Sequence, residues 1–160
     1  MRRDRFLIII SLAKEDDLPQ IIKIMQEAIS PVWSSSALLN EMRKDDSYFI
    51  VAKNTAVKAE EPTSVLGFAV FRRVGVDGEL LIIAVYEPAR RKGVGDSLMQ
   101  AVLDYAGKNA FKSVFLEVRG SNEAAVHLYE KHGFEQLRVR KSYYNDPVED
   151  ALVMARGDLR

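Results

Sequence analysis

Apolar positions along the chain recur with two alternating periods, and those periods predict the elements. Phe6 to Ser11 is a short β-branched run that reads as a strand. Asp16 or Asp17 then caps a helix whose apolar positions Leu18, Ile21, Ile22, Ile24, Met25 and Ala28 return at helical spacing, and Pro31 ends it. A second helix over Ser35 to Arg43 is opened by the serines Ser34 to Ser36. Strand-like runs follow at Tyr48 to Ala52, Val65 to Phe71 and Glu79 to Val85. The polar stretch Asn54 to Ser64, containing Lys58-Ala59-Glu60-Glu61-Pro62, reads as an exposed hairpin loop. Beyond it come a helix from Val94 to Lys108, a strand from Ser113 to Val118 and a helix from Asn122 to His132. Strands near Glu135 to Lys141 and Ala151 to Met154 close the chain. The order β-α-α-β-β-β-α-β-α-β-β predicts a mixed α/β fold, an α+β mixed sheet with an antiparallel meander in its middle.

Length and composition narrow the classes. At 160 residues the chain is the size of one domain, taken as 1–160, with 48% hydrophobic and 29% charged residues. No apolar run approaches the roughly 18 to 20 residues of a membrane span. Lys plus Arg equal Asp plus Glu at 23 each, so the summed field offers nothing for a phosphate polymer or an anionic lipid surface, and direct nucleic-acid and membrane partners are not expected. The absence of cysteine removes disulfides, thiolate nucleophiles and cysteine-based metal sites. Met1 to Arg5 followed by Phe6 to Leu12 superficially resembles a secretion signal. The apolar stretch is short, lacks a small-residue cleavage site and runs into Lys14-Glu15-Asp16-Asp17, so a buried first strand and a cytoplasmic location are expected instead. His127 and His132 are five apart on a helix, on different faces and without an acid at matching spacing; both read as surface or packing residues, with no metal site.

The candidate chemistry begins at the third helix. Leu80 to Val85 is uninterrupted apolar sequence, as expected of a strand buried on both faces, and Glu87-Pro88 stops it. Arg90-Arg91-Lys92-Gly93-Val94-Gly95 follows, with the spacing Arg-x-x-Gly-x-Gly directly before the helix. Glycines there let backbone approach a ligand, and the free N–H groups of the first helical turn face an anion. An isolated Gly-x-Gly is more often a solvated turn. A P-loop is excluded by the missing Gly-Lys-Ser or Gly-Lys-Thr, and a dinucleotide fingerprint by Leu98 at the third glycine position.

Ile83-Ala84-Val85, this loop, Leu116-Glu117-Val118-Arg119, Ser121-Asn122-x-Ala124-Ala125 and Leu128-Tyr129-x-x-x-Gly133-Phe134 together resemble the successive motifs of the GCN5-related N-acetyltransferases (GNAT). Tyr143-Tyr144 and Glu149-Asp150-Ala151 with Met154 resemble the RimI-like branch, which acetylates protein N-termini. The likeness is dense from Ile83 onward and thin before it. It implies the acyl-CoA N-acyltransferase fold with a splayed central sheet, acetyl-CoA as coenzyme, and a protein or peptide N-terminus as acceptor for a monomer or weak homodimer. Acetylation of a lysine side chain or small amine, and a silent acyl-CoA sensor, are the alternatives.

By that resemblance Arg90, Arg91, Lys92, Gly93, Val94, Gly95, Asp96 and Asn122 hold the coenzyme, and Ile83, Ala84 and Val85 act through main-chain groups. Asp96 departs from the basic or neutral residue common in relatives: an acid there suits the helix dipole but opposes a nearby phosphate. Glu117 takes the place of the family's general base, although the strand pattern alone reads it as a solvent-face glutamate. Tyr129 takes that of the general acid. It lies two helical turns after Asn122 and keeps its proton at neutral pH, though a lone helical tyrosine is more often core. Asn122 also suits a helix cap. Trp33 is either a wall of the acceptor site or a core anchor, and Tyr143 and Tyr144 either recognise the peptide end or form a hairpin tip.

Overall fold

The computed structural model describes residues 6–29, 32–58, 61, 64–157 and 159. Pro31, Met1 to Arg5, and Ala59, Glu60 and Pro62 of the predicted loop lie outside the described residues. Along the chain run β1 (Ile8–Leu12), α1 (Leu18–Ala28), α2 (Ser35–Met42), β2 (Ser47–Asn54), β3 (Val65–Val74), β4 (Asp77–Val85), α3 (Val94–Lys108), β5 (Ser113–Arg119), α4 (Glu123–Lys131), β6 (Glu135–Tyr144) and β7 (Glu149–Gly157). This is the predicted order. The strands form one sheet in the order β1-β2-β3-β4-β5-β7-β6, antiparallel throughout except for β4 and β5. No helix of the described residues is long and apolar enough to cross a membrane.

The sheet is covered on both faces. On one face α3 turns Leu98, Met99, Val102, Leu103 and Ala106 onto Ile50, Ala69, Phe71 and Leu80, and the rings of Tyr48 and Tyr105 stack with centroids 4.0 Å apart. On the other, Ile21, Ile24 and Met25 of α1 and Leu38 of α2 pack against Phe49, Val51, Phe68 and Val70. Each of the larger aliphatic and Phe side chains among these contributes roughly 1.5 to 3 kcal/mol through burial. β3 runs between the two layers, and Val65 to Phe71 are all buried.

Two features of β4 position the site. Opposite β3, Val70 pairs with Ile82 and Phe71 with Leu80, leaving Leu81 as an extra residue. This bulge reverses the alternation, so Leu80 and Ile83 face the α3 layer while Ile82 and Ala84 face the α1 layer. Toward β5 the pairing is short: Gly78, Glu79 and Leu80 lie beside Val114, Phe115 and Leu116, and it ends there. β4 continues with β3 as far as Val85, and β5 continues with β7 as far as Arg119. The central sheet is splayed, as the resemblance implies.

Local chemistry departs from the sequence reading in two places. Asp17 occupies the N-cap position of α1, but its carboxylate makes no cap bond. The residue at the second helical position is Pro19, which has no N–H to offer, and the carboxylate instead accepts from the Lys14 N–H at 2.9 Å and pairs with Lys53 at 3.0 Å. β6 runs to Tyr144 and β7 starts at Glu149, leaving a shorter hairpin loop than the sequence suggests. Ser34 does cap α2, accepting from the Ala37 N–H at 3.1 Å.

α2 is also tied down electrostatically. The buried Glu41 carboxylate accepts a fork from Arg72 of β3, at 3.1 Å from Nε and 2.7 Å from Nη2, and a further bond from Lys44. Burial pushes this carboxyl up, but the bonds from Arg72 and Lys44 outweigh it and hold it below its ordinary value. A depressed native carboxyl stabilises the fold above the unfolded value of about 4.3 and loses that contribution as pH falls through the native one. Glu41→Gln is therefore expected to destabilise by about 2 kcal/mol at neutral pH. In urea titrations at a series of pH values, the gap between the two proteins should close as the solution is made acid.

Candidate active site

Because β4 and β5 are parallel, the helices that follow them both start at the end where the strands have parted. Between the N-terminus of α3 and the length of α4 lies a groove of about 1140 Å³. Its lining includes Ile83, Ala84 and Val85, then Arg90, Arg91, Gly93, Gly95 and Asp96, and on the far wall Asn122 and one flank of α4. Gly93 is the N-cap of α3 with φ +84°, and Arg91 is left-handed too, with φ +63°. A Cβ on Gly93 would meet nothing within 4 Å, so backbone conformation rather than crowding demands glycine there, and the turn lies open to a ligand. At Gly95 a Cβ would come within 3.3 Å of Leu128, which makes this the point where α3 and α4 close on each other.

Side chains sort the rest of the loop. Arg90 turns back and donates from Nε to the Val85 carbonyl at 3.3 Å, fixing the loop to the strand it leaves. Lys92 is outside the lining, its ammonium 4.7 Å from the centroid of the Phe6 ring, and Val94 is buried in the core. Asn122 is the N-cap of α4: its Oδ1 accepts from the Ala125 N–H at 3.2 Å, while its NH₂ has no hydrogen bond among the described residues. Asp96 lines the groove, yet its carboxylate is held by His132 Nε2 at 2.9 Å and Lys131 Nζ at 3.1 Å. The His132 bond, supported by Lys131, keeps this carboxyl below its ordinary value. His127 is exposed, and no cluster able to hold a metal ion exists among the described residues.

Glu117 stands one residue past the last β4–β5 pair, on the lip of the opening, and neither it nor Tyr129 lines the groove itself. Arg140 Nε of β6 lies 3.3 Å from Glu117 Oε1, and the nearby Glu117 carboxylate pushes the Tyr143 phenol up. Tyr129 is the one fully buried residue of α4, with its ring against Phe134. Its hydroxyl makes no hydrogen bond among the described residues and is not sealed in. Burial, and then Tyr144, push its phenol far up, so it stays protonated. Tyr144 is itself pushed up by burial and by Glu117, and so lies within electrostatic reach of both residues.

Arg119 holds the β6–β7 loop. It donates to the carbonyls of Pro147 and Asn145, pairs with Glu149 at 3.5 Å, and lies 4.3 Å from the Tyr144 ring centroid. Tyr143 and Tyr144 meet edge to face at 5.0 Å. Trp33 is half-buried and packs against the apolar cluster on the α1 side of the sheet. One residue of the opening has no counterpart in the sequence reading. Glu79 of β4 is half-buried, and burial together with the charge of Glu117 pushes its carboxyl up. The only signal in the sequence is an acid heading an apolar strand, and its meaning depends on a parallel register that no local pattern reveals.

A groove walled by two helix N-termini, with a carboxylate on the lip where the strands part, suits acyl transfer from a phosphate-bearing carrier. The Acetyltransferase (GNAT) family matches residues 17–134. The chain belongs to that family. This GNAT chain is 32% identical to the ribosomal protein bS18 alanine N-acetyltransferase of Escherichia coli, over 91% of its own length and 95% of that protein. It is 34% identical to an N-alpha-acetyltransferase of Saccharolobus solfataricus, over 90% and 89%. Among solved structures it resembles Ard1 from Thermoplasma volcanium, with a TM-score of 0.85, 29% identity, and coverage of 96% and 99%. It is an acetyl-CoA-dependent N-acetyltransferase.

The left-handed turn gives a direct test. Gly93→Ala places a Cβ in that conformation at a cost of about 1 to 2 kcal/mol, and Gly93→Asn is expected to lose less because asparagine tolerates it. Urea midpoints of the three proteins check the ranking.

Proposed function

We propose that this GNAT enzyme, as one domain over residues 1–160, moves the acetyl group of acetyl-CoA to the α-amino group of a protein N-terminus by direct attack, with Glu117 as base and Tyr129 as acid. The observation that carries the roles is the parting of β4 and β5. The pairing stops at Leu116, the next residue is Glu117, and among the described residues the main-chain groups of β4 beyond Leu80 have no strand opposite them on that side. The acceptor is favoured by the N-terminal activities named for the two relatives above.

The residues present fit the coenzyme. Gly93 leaves open space at the α3 N-terminus, Arg91 lines it, and Asn122 keeps a free NH₂ on the facing wall. When bound, acetyl-CoA supplies an activated acyl carbon and a thiol leaving group. Glu117 takes the proton of the incoming amine, directly or through water. An α-amine, with a reference pKa of about 7.7 to 8.0 against about 10.4 for lysine, asks little of that base. Main-chain N–H groups of β4 beyond Leu80 receive the negative charge that gathers on the carbonyl oxygen as the C–N bond forms. As the C–S bond breaks, Tyr129 offers its hydroxyl to the sulfur. Its raised phenol favours hydrogen-bonded stabilisation and late proton transfer.

The test is to incubate the protein with acetyl-CoA and peptides with free N-termini beginning with Ala, Ser or Met, beside N-blocked peptides carrying one internal lysine. Only the free-amine peptides should gain one acetyl group. Labelling of the lysine peptides alone would refute the acceptor assignment, and coenzyme binding without any transfer would make the protein a sensor. Tyr129→Phe and Glu117→Gln should each lower kcat about 100-fold while acetyl-CoA binds nearly as in the wild type. Full turnover in both variants would remove these roles.

A further inference from the structure

We infer that Asp96 is a positioning residue: its carboxylate, shared between His132 and Lys131, docks α4 on the first turn of α3 and thereby sets the coenzyme groove and the placement of Tyr129. This rests on the reading of that groove as the acetyl-CoA site.

The need for such a clip follows from how little apolar surface fixes α4. α3 is anchored by six buried residues, whereas α4 fully buries only Tyr129, with Ala125, Val126 and Leu128 half-buried beside it. Its ends are held by polar contacts instead. At the N-terminal end the Ser121 N–H donates to Glu149 Oε1 at 2.7 Å, and at the C-terminal end Arg156 donates to the His132 carbonyl at 2.9 Å. Both partners belong to β7. Among the described residues, Asp96 makes the only side-chain polar link from α3 to α4. It acts one residue from Gly95, where the helices touch through Leu128, and its partners Lys131 and His132 lie two and three residues beyond Tyr129 at the end of α4.

The same geometry explains an acid beside a phosphate cradle. Asp96 is ionised and faces a lysine, so much of its field is cancelled across the α3–α4 contact. His132 must then carry its proton on Nε2, because an ionised carboxylate has only acceptors to offer.

A double-mutant cycle on the full chain tests this. Asp96→Ala is expected to weaken acetyl-CoA binding in calorimetry and to lower kcat, each on the order of three- to tenfold, with the KM of the peptide acceptor unchanged. His132→Ala should do part of the same, and the double variant should be no worse than Asp96→Ala alone. Amide hydrogen exchange along α4, which needs no coenzyme, should quicken in Asp96→Ala while α3 stays protected. If Asp96 instead acts on the phosphate by charge, Asp96→Ala and Asp96→Asn tighten acetyl-CoA binding and α4 exchange does not change; that result overturns the inference, as does additivity of the two alanine variants. Failure of the wild type to bind acetyl-CoA would strike the groove assignment itself, and the exchange data would still decide whether Asp96 holds α4.

Discussion

The whole site depends on β4 and β5 abandoning each other after one short parallel stretch. Neither strand is left unsupported by that separation. β4 keeps β3 to its end, where the Tyr86 N–H still donates to the Leu66 carbonyl at 2.8 Å, and β5 keeps β7 to its own end at Arg119, opposite Ala151. Each half of the sheet is stable on its outer side, so the inner edges can diverge at the cost of a few ladder bonds. Parallel strands require crossover connections, and here the crossover helix α3 and its successor α4 both begin at the open end. The N-terminus of α3 and the Glu117 carboxylate are thereby brought to one opening by topology alone.

Much of this was legible because it is written in burial. β3, β4 and α3 carry long apolar runs, and their order and approximate bounds follow from the periods of Val65 to Phe71, Leu80 to Val85 and Leu98 to Ala106. Where burial does not act, the pattern goes silent. Nearly all of β6 is exposed, so no alternation marks where it ends, and its extension to Tyr144 appears only through its pairing with β7. Pairings between distant side chains are equally hidden. Asp96 and His132 are 36 positions apart, and Glu79 meets the field of Glu117 only across a parallel register. Asn122 admitted two readings because its oxygen caps α4 while its amide nitrogen makes no bond among the described residues.

Net charge conceals the electrostatic organisation. Equal numbers of acids and bases give no overall field, yet the arginines act individually: Arg72 clamps α2, Arg90 closes the glycine loop onto β4, and Arg140 faces the proposed base. Arginine suits these tasks because its planar fork meets two acceptors at once and its charge does not depend on pH.

Glu117 and Arg119 are two residues apart on one strand and so share a face of the sheet. The first stands at the opening, and the second grips the loop from Asn145 to Glu149. Loop and carboxylate thus hang from the same short rigid lever. Remodelling the loop would load that lever, and the carboxylate would feel it. Substitutions at the tip of the loop and along exposed β6 leave the Arg119 grip intact, and side chains can be exchanged there without moving the strand beneath them.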